Sequence, residues 1–127
     1  MTTGQIILLI FAALIGFLYL KKFISTRGIV QYDPGDAAAK LKGNRNIVLL
    51  DVRTPKERKE QSIKGSIHIP LYELGTRSDE LLKYKDKEII CYCRSGNRSL
   101  TAAAKLKKKG FNSANLKGGI IRWNHHN

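Results

Sequence analysis

Glu88-Ile89-Ile90-Cys91-Tyr92-Cys93-Arg94-Ser95-Gly96-Asn97-Arg98-Ser99-Leu100-Thr101-Ala102-Ala103-Ala104-Lys105-Leu106 decides how this chain is read. Glu88 to Tyr92 is a short apolar run that predicts a buried strand, and Leu100 to Leu106 has the spacing and composition of a helix. Between them stands a cysteine at a strand end, followed by a short loop of Arg94, Ser95, Gly96, Asn97 and Arg98. The loop amides and the helix N-terminus supply positive potential, and the two arginines add full charges. Such surroundings lower a thiol pKa and gather an anionic substrate beside the thiolate. The plainer reading is a small buried cysteine, but two adjacent arginines cannot be buried cheaply, which argues against an apolar pocket.

Working outward, strands alternate with helices. Ile29-Val30-Gln31 predicts a first strand, and Asp33-Pro34 a helix start, with Asp33 as cap and Pro34 in the first position, ending at Gly43. Ile47 to Leu50 is a continuous apolar run, as expected of a strand covered on both faces. Thr54-Pro55 starts a polar helix reaching about Glu60. Ile67-His68-Ile69 is a short strand closed by Pro70, and Leu74 to Tyr84 reads as one polar helix. The helix after the cysteine loop runs from about Arg98 to Lys109 and stops at Gly110. Phe111 to Leu116 gives a last strand, and Gly119 to Trp123 a short last helix. The alternation predicts an α/β fold: a parallel sheet with helices on both faces.

A different segment precedes this pattern. Ile6 to Leu20 is an uncharged apolar run of 15 residues, and Gly4-Gln5 before it are uncharged too. Extended from Gly4 to Ile24, with Lys21 and Lys22 snorkelling, it reaches the roughly 20 residues that span a bilayer. A cleaved signal peptide carries its positive charge before the apolar run and a small-residue cleavage site after it. Here the charges follow the run, and no Ala-x-Ala-like site is seen. The expectation is therefore one uncleaved transmembrane helix with its flank over residues 1–26 and a globular domain over residues 27–127. Lys21, Lys22 and Arg27 on the C-terminal side place that domain in the cytoplasm, at the inner membrane.

The chain of 127 residues carries a formal charge of +13, and all ten acidic residues lie after Tyr32. Such charge suits nucleic acid, anionic lipid or a small anion. Without a basic stripe interleaved with aromatics or a recognition motif, no nucleic-acid partner is expected. Lys105, Lys107, Lys108 and Lys109 read as a solvated helix end complementing the helix dipole, with lipid or partner contact as the sharper alternative. The two cysteines, Cys91 and Cys93, are spaced too closely for an unstrained bridge, which fits a reducing compartment. Cys91 reads as a buried strand residue, the alternative being a second thiol that accepts sulfur or resolves oxidised Cys93. His68, His125 and His126 have no metal-ligand spacing with the cysteines, and neither a metal nor a cofactor is expected.

Four landmarks in order make the chain resemble the rhodanese-type sulfurtransferases over nearly everything after the first 28 residues. They are Leu50-Asp51-Val52-Arg53-Thr54-Pro55, Ile63-Lys64-Gly65-Ser66-Ile67-His68-Ile69-Pro70, the loop Cys93 to Arg98, and Leu116-Lys117-Gly118-Gly119-Ile120-Ile121-Arg122-Trp123. Two departures stand out. Gln61-Ser62-Ile63 occupies the place where many members carry Gly-His-Ile, and Ser95 stands where the best-known thiosulfate enzymes have a lysine.

The resemblance implies a rhodanese-like sheet and a sulfur transfer in which Cys93 forms a persulfide. Arg94, Ser95, Gly96, Asn97 and Arg98 would bind a small anionic donor such as thiosulfate. The acceptor would be a thiol, a cyanide-like nucleophile or a protein. Asp51 and Arg53 would form structural pairs beneath the site. Tyrosine phosphatases need five residues between cysteine and arginine to enclose a tetrahedral oxyanion, and here there are four. A membrane-tethered sulfur carrier without turnover, or an interaction module, is the alternative.

Overall fold

The computed structural model describes residues 1–126; Asn127, the last residue of the expected second domain, lies outside the described residues. A long helix, α1 (Thr3–Thr26), leads into β1 (Val30–Tyr32), α2 (Pro34–Leu41), β2 (Ile47–Asp51), α3 (Pro55–Glu60) and β3 (Ile67–His68). Short helical turns over 71–84 include α4 (Leu74–Arg77), and β4 (Glu88–Tyr92), α5 (Asn97–Lys108), β5 (Asn112–Leu116) and α6 (Gly119–His126) complete the chain. The five strands pair in parallel in the order β1-β5-β4-β2-β3.

The strand pattern explains the two layers around this sheet. Along β4, Ile89 and Cys91 join one core with Leu50, Val52, Leu74, Leu81, Ala102, Ala103 and Leu106, on the side of α4 and α5. Ile90 and Tyr92 point the other way, into a core with Ala37, Leu49, Ala114, Leu116 and Ile120, on the side of α2 and α6. A strand facing apolar layers on both sides needs a continuous apolar run, which is what β2 and β4 carry.

Several local expectations change. Residues 74–84 do not form one helix: a single α turn, Leu74–Arg77, gives way to a 3-10 stretch, Ser78–Tyr84. Gly75, Thr76 and Ser78 are weak helix formers crowded into four consecutive positions. Leu74 and Leu81 still bury fully. Asp33 makes no side-chain cap of α2, although Pro34 takes the first turn. Its carboxylate lies 3.7 Å from the Arg122 guanidinium, with both groups more than half exposed. Side-chain caps form at Thr2 of α1 and at α3, where the Thr54 hydroxyl accepts from the Glu57 N–H and the Glu57 carboxylate accepts from the Thr54 N–H, a reciprocal box.

The lysines ending α5 are all exposed, as expected of a solvated helix end, and some of them also reach neighbouring segments. Lys107 donates to the Gly28 carbonyl, and Lys109 donates to the Gly75 carbonyl and the Ser78 hydroxyl, while Lys108 lies against α1. α1 has no buried residues along its length and is the one helix, among the described residues, long and apolar enough to cross a membrane. Its 24 residues at about 1.5 Å each give about 36 Å, against roughly 30 Å of hydrocarbon.

Candidate functional site

The site forms at the C-terminal end of β4, where open parallel sheets place their ligands. Cys93 follows the strand directly and is 1% exposed. The turn that brings the chain back into α5 depends on Gly96, whose φ of 105° lies in the left-handed region. A Cβ there would also come within 3.1 Å of the Gly118 nitrogen. The Gly96 N–H donates to Cys93 Sγ at 3.1 Å, and the Ser99 hydroxyl lies 3.3 Å from the same sulfur. The loop and first turn of α5 thus wrap the sulfur in donors.

Those donors set the charge on the thiol. Burial opposes ionisation of Cys93, but the Ser99 hydroxyl and the amides of Ser99, Gly96 and Ser95 outweigh it and hold the pKa below its ordinary value. Cys91, on the same face of the strand two residues earlier, is fully buried. Burial, with the neighbouring Cys93 charge, pushes its thiol well above the ordinary range. The two thiols are thus pushed in opposite directions, Cys93 toward its ionised form and Cys91 toward its neutral one.

Ser99 was part of the quoted stretch without a role, and its partner comes from β5. The Ser99 hydroxyl lies 2.6 Å from Asn115 Oδ1, so its one proton is shared between this acceptor and the sulfur. Asn115 is 1% exposed, and its Nδ2 donates to the Gly96 carbonyl and to Gln31 Oε1. The β1–β5 register places Gln31 opposite Asn115, so two strands orient one amide toward the loop. A polar residue inside a buried strand is the signal that marks Asn115.

The two arginines separate. Arg94 is exposed at the loop. Arg98 forms a bidentate pair with Glu57, at 2.7 and 2.8 Å, and holds that carboxyl down to about 2. Glu57 also closes the α3 capping box, so Arg98 ties the first turn of α5 to the start of α3. The signal for Glu57 was the Thr54-x-x-Glu57 spacing. Ser95 and Asn97 are exposed on the rim, and Ser95 adds its amide to the sulfur's environment.

Behind the loop, Arg53 meets Asp51 through Nε at 3.0 Å and a terminal nitrogen at 2.9 Å, both residues being buried. Burial pushes the Asp51 carboxyl up, but hydrogen bonds from Arg53, with Arg58 behind it, hold it below its ordinary value. Arg53 also donates to the Gln61 carbonyl, and Tyr92 bridges Asp51 to Ser66 and the Ile63 N–H. This network fills the ground beneath β4, the structural place expected for Asp51 and Arg53. The start of α6 closes the other side, where Ile120 N–H donates to the Cys93 carbonyl and Ile121 N–H to that of Arg94.

Comparison with known proteins agrees with this geometry. The family model described as a rhodanese-like domain matches residues 33–126. A sulfurtransferase of Allochromatium vinosum is 34% identical over 97 residues, covering 76% of this chain and 89% of that protein. The uncharacterized protein YqhL of Bacillus subtilis is 34% identical over 122 residues, 95% of this chain and 93% of its own, so that match takes in most of α1. Among solved structures, a rhodanese-related protein of Thermoplasma volcanium aligns with a TM-score of 0.69 at 33% identity, over 76% of this chain and 92% of its own. The parallel sheet, the cysteine loop at its C-terminal edge and these matches together place the chain in the rhodanese-like domain family.

Proposed function

We propose that the protein is a sulfurtransferase that moves sulfane sulfur from a small anionic donor to a thiophilic acceptor through a persulfide on Cys93. The observation that carries the reading is the sulfur of Cys93 receiving the Gly96 amide at 3.1 Å with the Ser99 hydroxyl at 3.3 Å. With thiosulfate as donor, the Cys93 thiolate attacks the outer sulfur, an S–S bond forms, and the old S–S bond breaks with its electron pair leaving on sulfite. A thiolate or cyanide then attacks the outer sulfur, and its departure returns the electron pair to Cys93. Both halves are displacements at sulfur, so a prepared thiolate needs no general base.

In this reading Arg94 and the amides of Ser95, Gly96 and Asn97 take the anionic end of the donor. Arg98 contributes positive potential while its pair with Glu57 holds the loop in place. The same pair weighs against a phosphatase: the loop has four residues between cysteine and arginine, and that arginine already carries a carboxylate. α1 anchors the domain as a single pass through the inner membrane, with the domain on the cytoplasmic side, as Lys21, Lys22 and Arg27 favour.

Intact mass of the purified protein after incubation with thiosulfate tests the persulfide. A reductant-labile gain of one sulfur that disappears in Cys93→Ser is expected, together with multiple turnovers when cyanide is supplied. Stoichiometric loading without turnover would instead identify a sulfur carrier.

A further inference from the structure

We propose that the cleft between the C-terminal half of α1 and the end of α5 binds one anionic phospholipid of the host membrane. The inference rests on reading α1 as a membrane anchor. Phe17, Leu20, Lys21, Ile24 and Ser25 of α1 form one wall, and Lys108 of α5 forms the other. Phe17, Leu20 and Ile24 recur at helical spacing as one strip and are 61%, 56% and 58% exposed, so the apolar wall is open to a ligand. Lys21, between Leu20 and Ile24 in the chain, and Lys108 bring two cations alongside that strip, and none of the six lining residues is acidic.

Two ammonium groups without a carboxylate call for an anion. The apolar strip beside them, which continues through Leu20 and Phe17 into the uncharged part of α1, calls for a hydrocarbon chain attached to it. Depth agrees with this chemistry. The uncharged run of α1 ends at Leu20, so Lys21, with Lys108 in the same cleft, falls where the hydrocarbon gives way to phosphate groups. The cleft is also held in shape. Only residues 27–29 separate α1 from β1, and Lys107 donates to the Gly28 carbonyl, which fixes the end of α5 beside the exit of α1. Free phosphate would satisfy the lysines but leave the strip unused, so the occupant is a membrane phospholipid whose phosphate sits between the lysines. Bound there, it would seat the domain on the membrane.

Native mass spectrometry of the full-length chain reads the site directly, with dioleoyl phosphatidylglycerol, dioleoyl phosphatidylcholine and soluble glycerol phosphate as probes. The first lipid bound should favour phosphatidylglycerol. Lys21→Gln and Lys108→Gln should each reduce that preference about fivefold, the equivalent of ~1 kcal/mol per cation at an anionic surface. Lys42→Gln and Lys64→Gln remove the same charge from a groove beside Trp123, and should leave the preference unchanged.

Equal binding of the two lipids, equal losses in the control variants, or competition by glycerol phosphate at the lipid's own concentration would overturn the proposal. Alkaline carbonate extraction of membranes holding the full-length chain separates the two readings. Release into the soluble fraction removes both the anchor and the lipid site. Retention without a phosphatidylglycerol preference removes the lipid site alone.

Discussion

Replacing Ser99 with alanine deletes its hydroxyl donor to Cys93 and leaves the loop amides in place. Ser99 is fully buried, with its hydroxyl 3.3 Å from the sulfur and 2.6 Å from Asn115 Oδ1. A hydrogen bond to a charged group contributes about 1.5–3 kcal/mol, and 1.36 kcal/mol corresponds to one pKa unit. The contact to sulfur is long and its proton is shared, so the lower end applies: the Cys93 pKa should rise by about one unit. The rate of iodoacetamide alkylation against pH, followed by intact mass, reports this. Below the inflection the variant should react about tenfold more slowly, with a similar plateau at high pH.

Stability carries a second signature. A thiol whose folded pKa is depressed contributes stability that is present above its unfolded value and lost as pH falls through the folded one. Ser99→Ala should flatten that dependence and cost a further 1–3 kcal/mol, roughly, because Asn115 Oδ1 loses its buried donor. Ser99→Thr keeps a hydroxyl and should restore most of the alkylation profile. An unmoved inflection in Ser99→Ala would refute the claim that this hydroxyl prepares the thiolate.

Other expectations follow from the same geometry. Cys93→Ser should abolish thiosulfate-to-cyanide sulfur transfer while circular dichroism stays native, whereas Cys91→Ser retains activity; equal losses would reassign the nucleophile. Glu57→Gln should destabilise the domain by about 1 kcal/mol, since solvent reaching the partly exposed Arg98 screens the pair, and urea melts measure it. The Glu57 pKa is lowered from 4.5 to about 2, so this stabilisation is present above pH 4.5 and lost as pH falls toward 2; acid titration of the variant should show a shallower loss over that window. Gly119→Ala places a methyl against the Cys93 and Arg94 carbonyls at a φ of +64°, and should lower the melting temperature and activity together. Proteolysis of intact spheroplasts should leave the domain uncut, and digestion from outside would reverse the assigned orientation.

The strand–loop–helix around Cys93 was legible because its signals are local. The apolar run of β4, Gly96 at the turn and the alanine-rich face of α5 lie within 20 residues, and each favours the conformation observed. The groups that finish the site come from far away in the chain. Arg98 meets Glu57 across 41 residues, and Asn115 meets Gln31 across 84. No spacing rule encodes such pairs; they follow from strand register, which places Gln31 beside Asn115 only once β1 and β5 align. The sequence pointed to the loop amides and the two arginines as what lowers the thiol pKa; in the structure the amides of Ser99, Gly96 and Ser95 do so, joined by the Ser99 hydroxyl, which no spacing rule singled out. The break of 74–84 into separate turns reflects weak helix formers whose two anchoring leucines bury regardless of the helix type between them.

The position of β5 has a consequence for the order in which the site is made. Among the described residues it is the last strand in sequence, yet it lies between β1 and β4, so the sheet stays split until the ribosome has released residues beyond 116. Asn115 and the start of α6, which brace the cysteine loop, belong to that late segment. Until that segment is in place the Cys93 loop lacks the Asn115 and α6 hydrogen bonds that brace it. The brace on the cysteine loop is thus the last part of the sheet to form, after β1 to β4 have all been made.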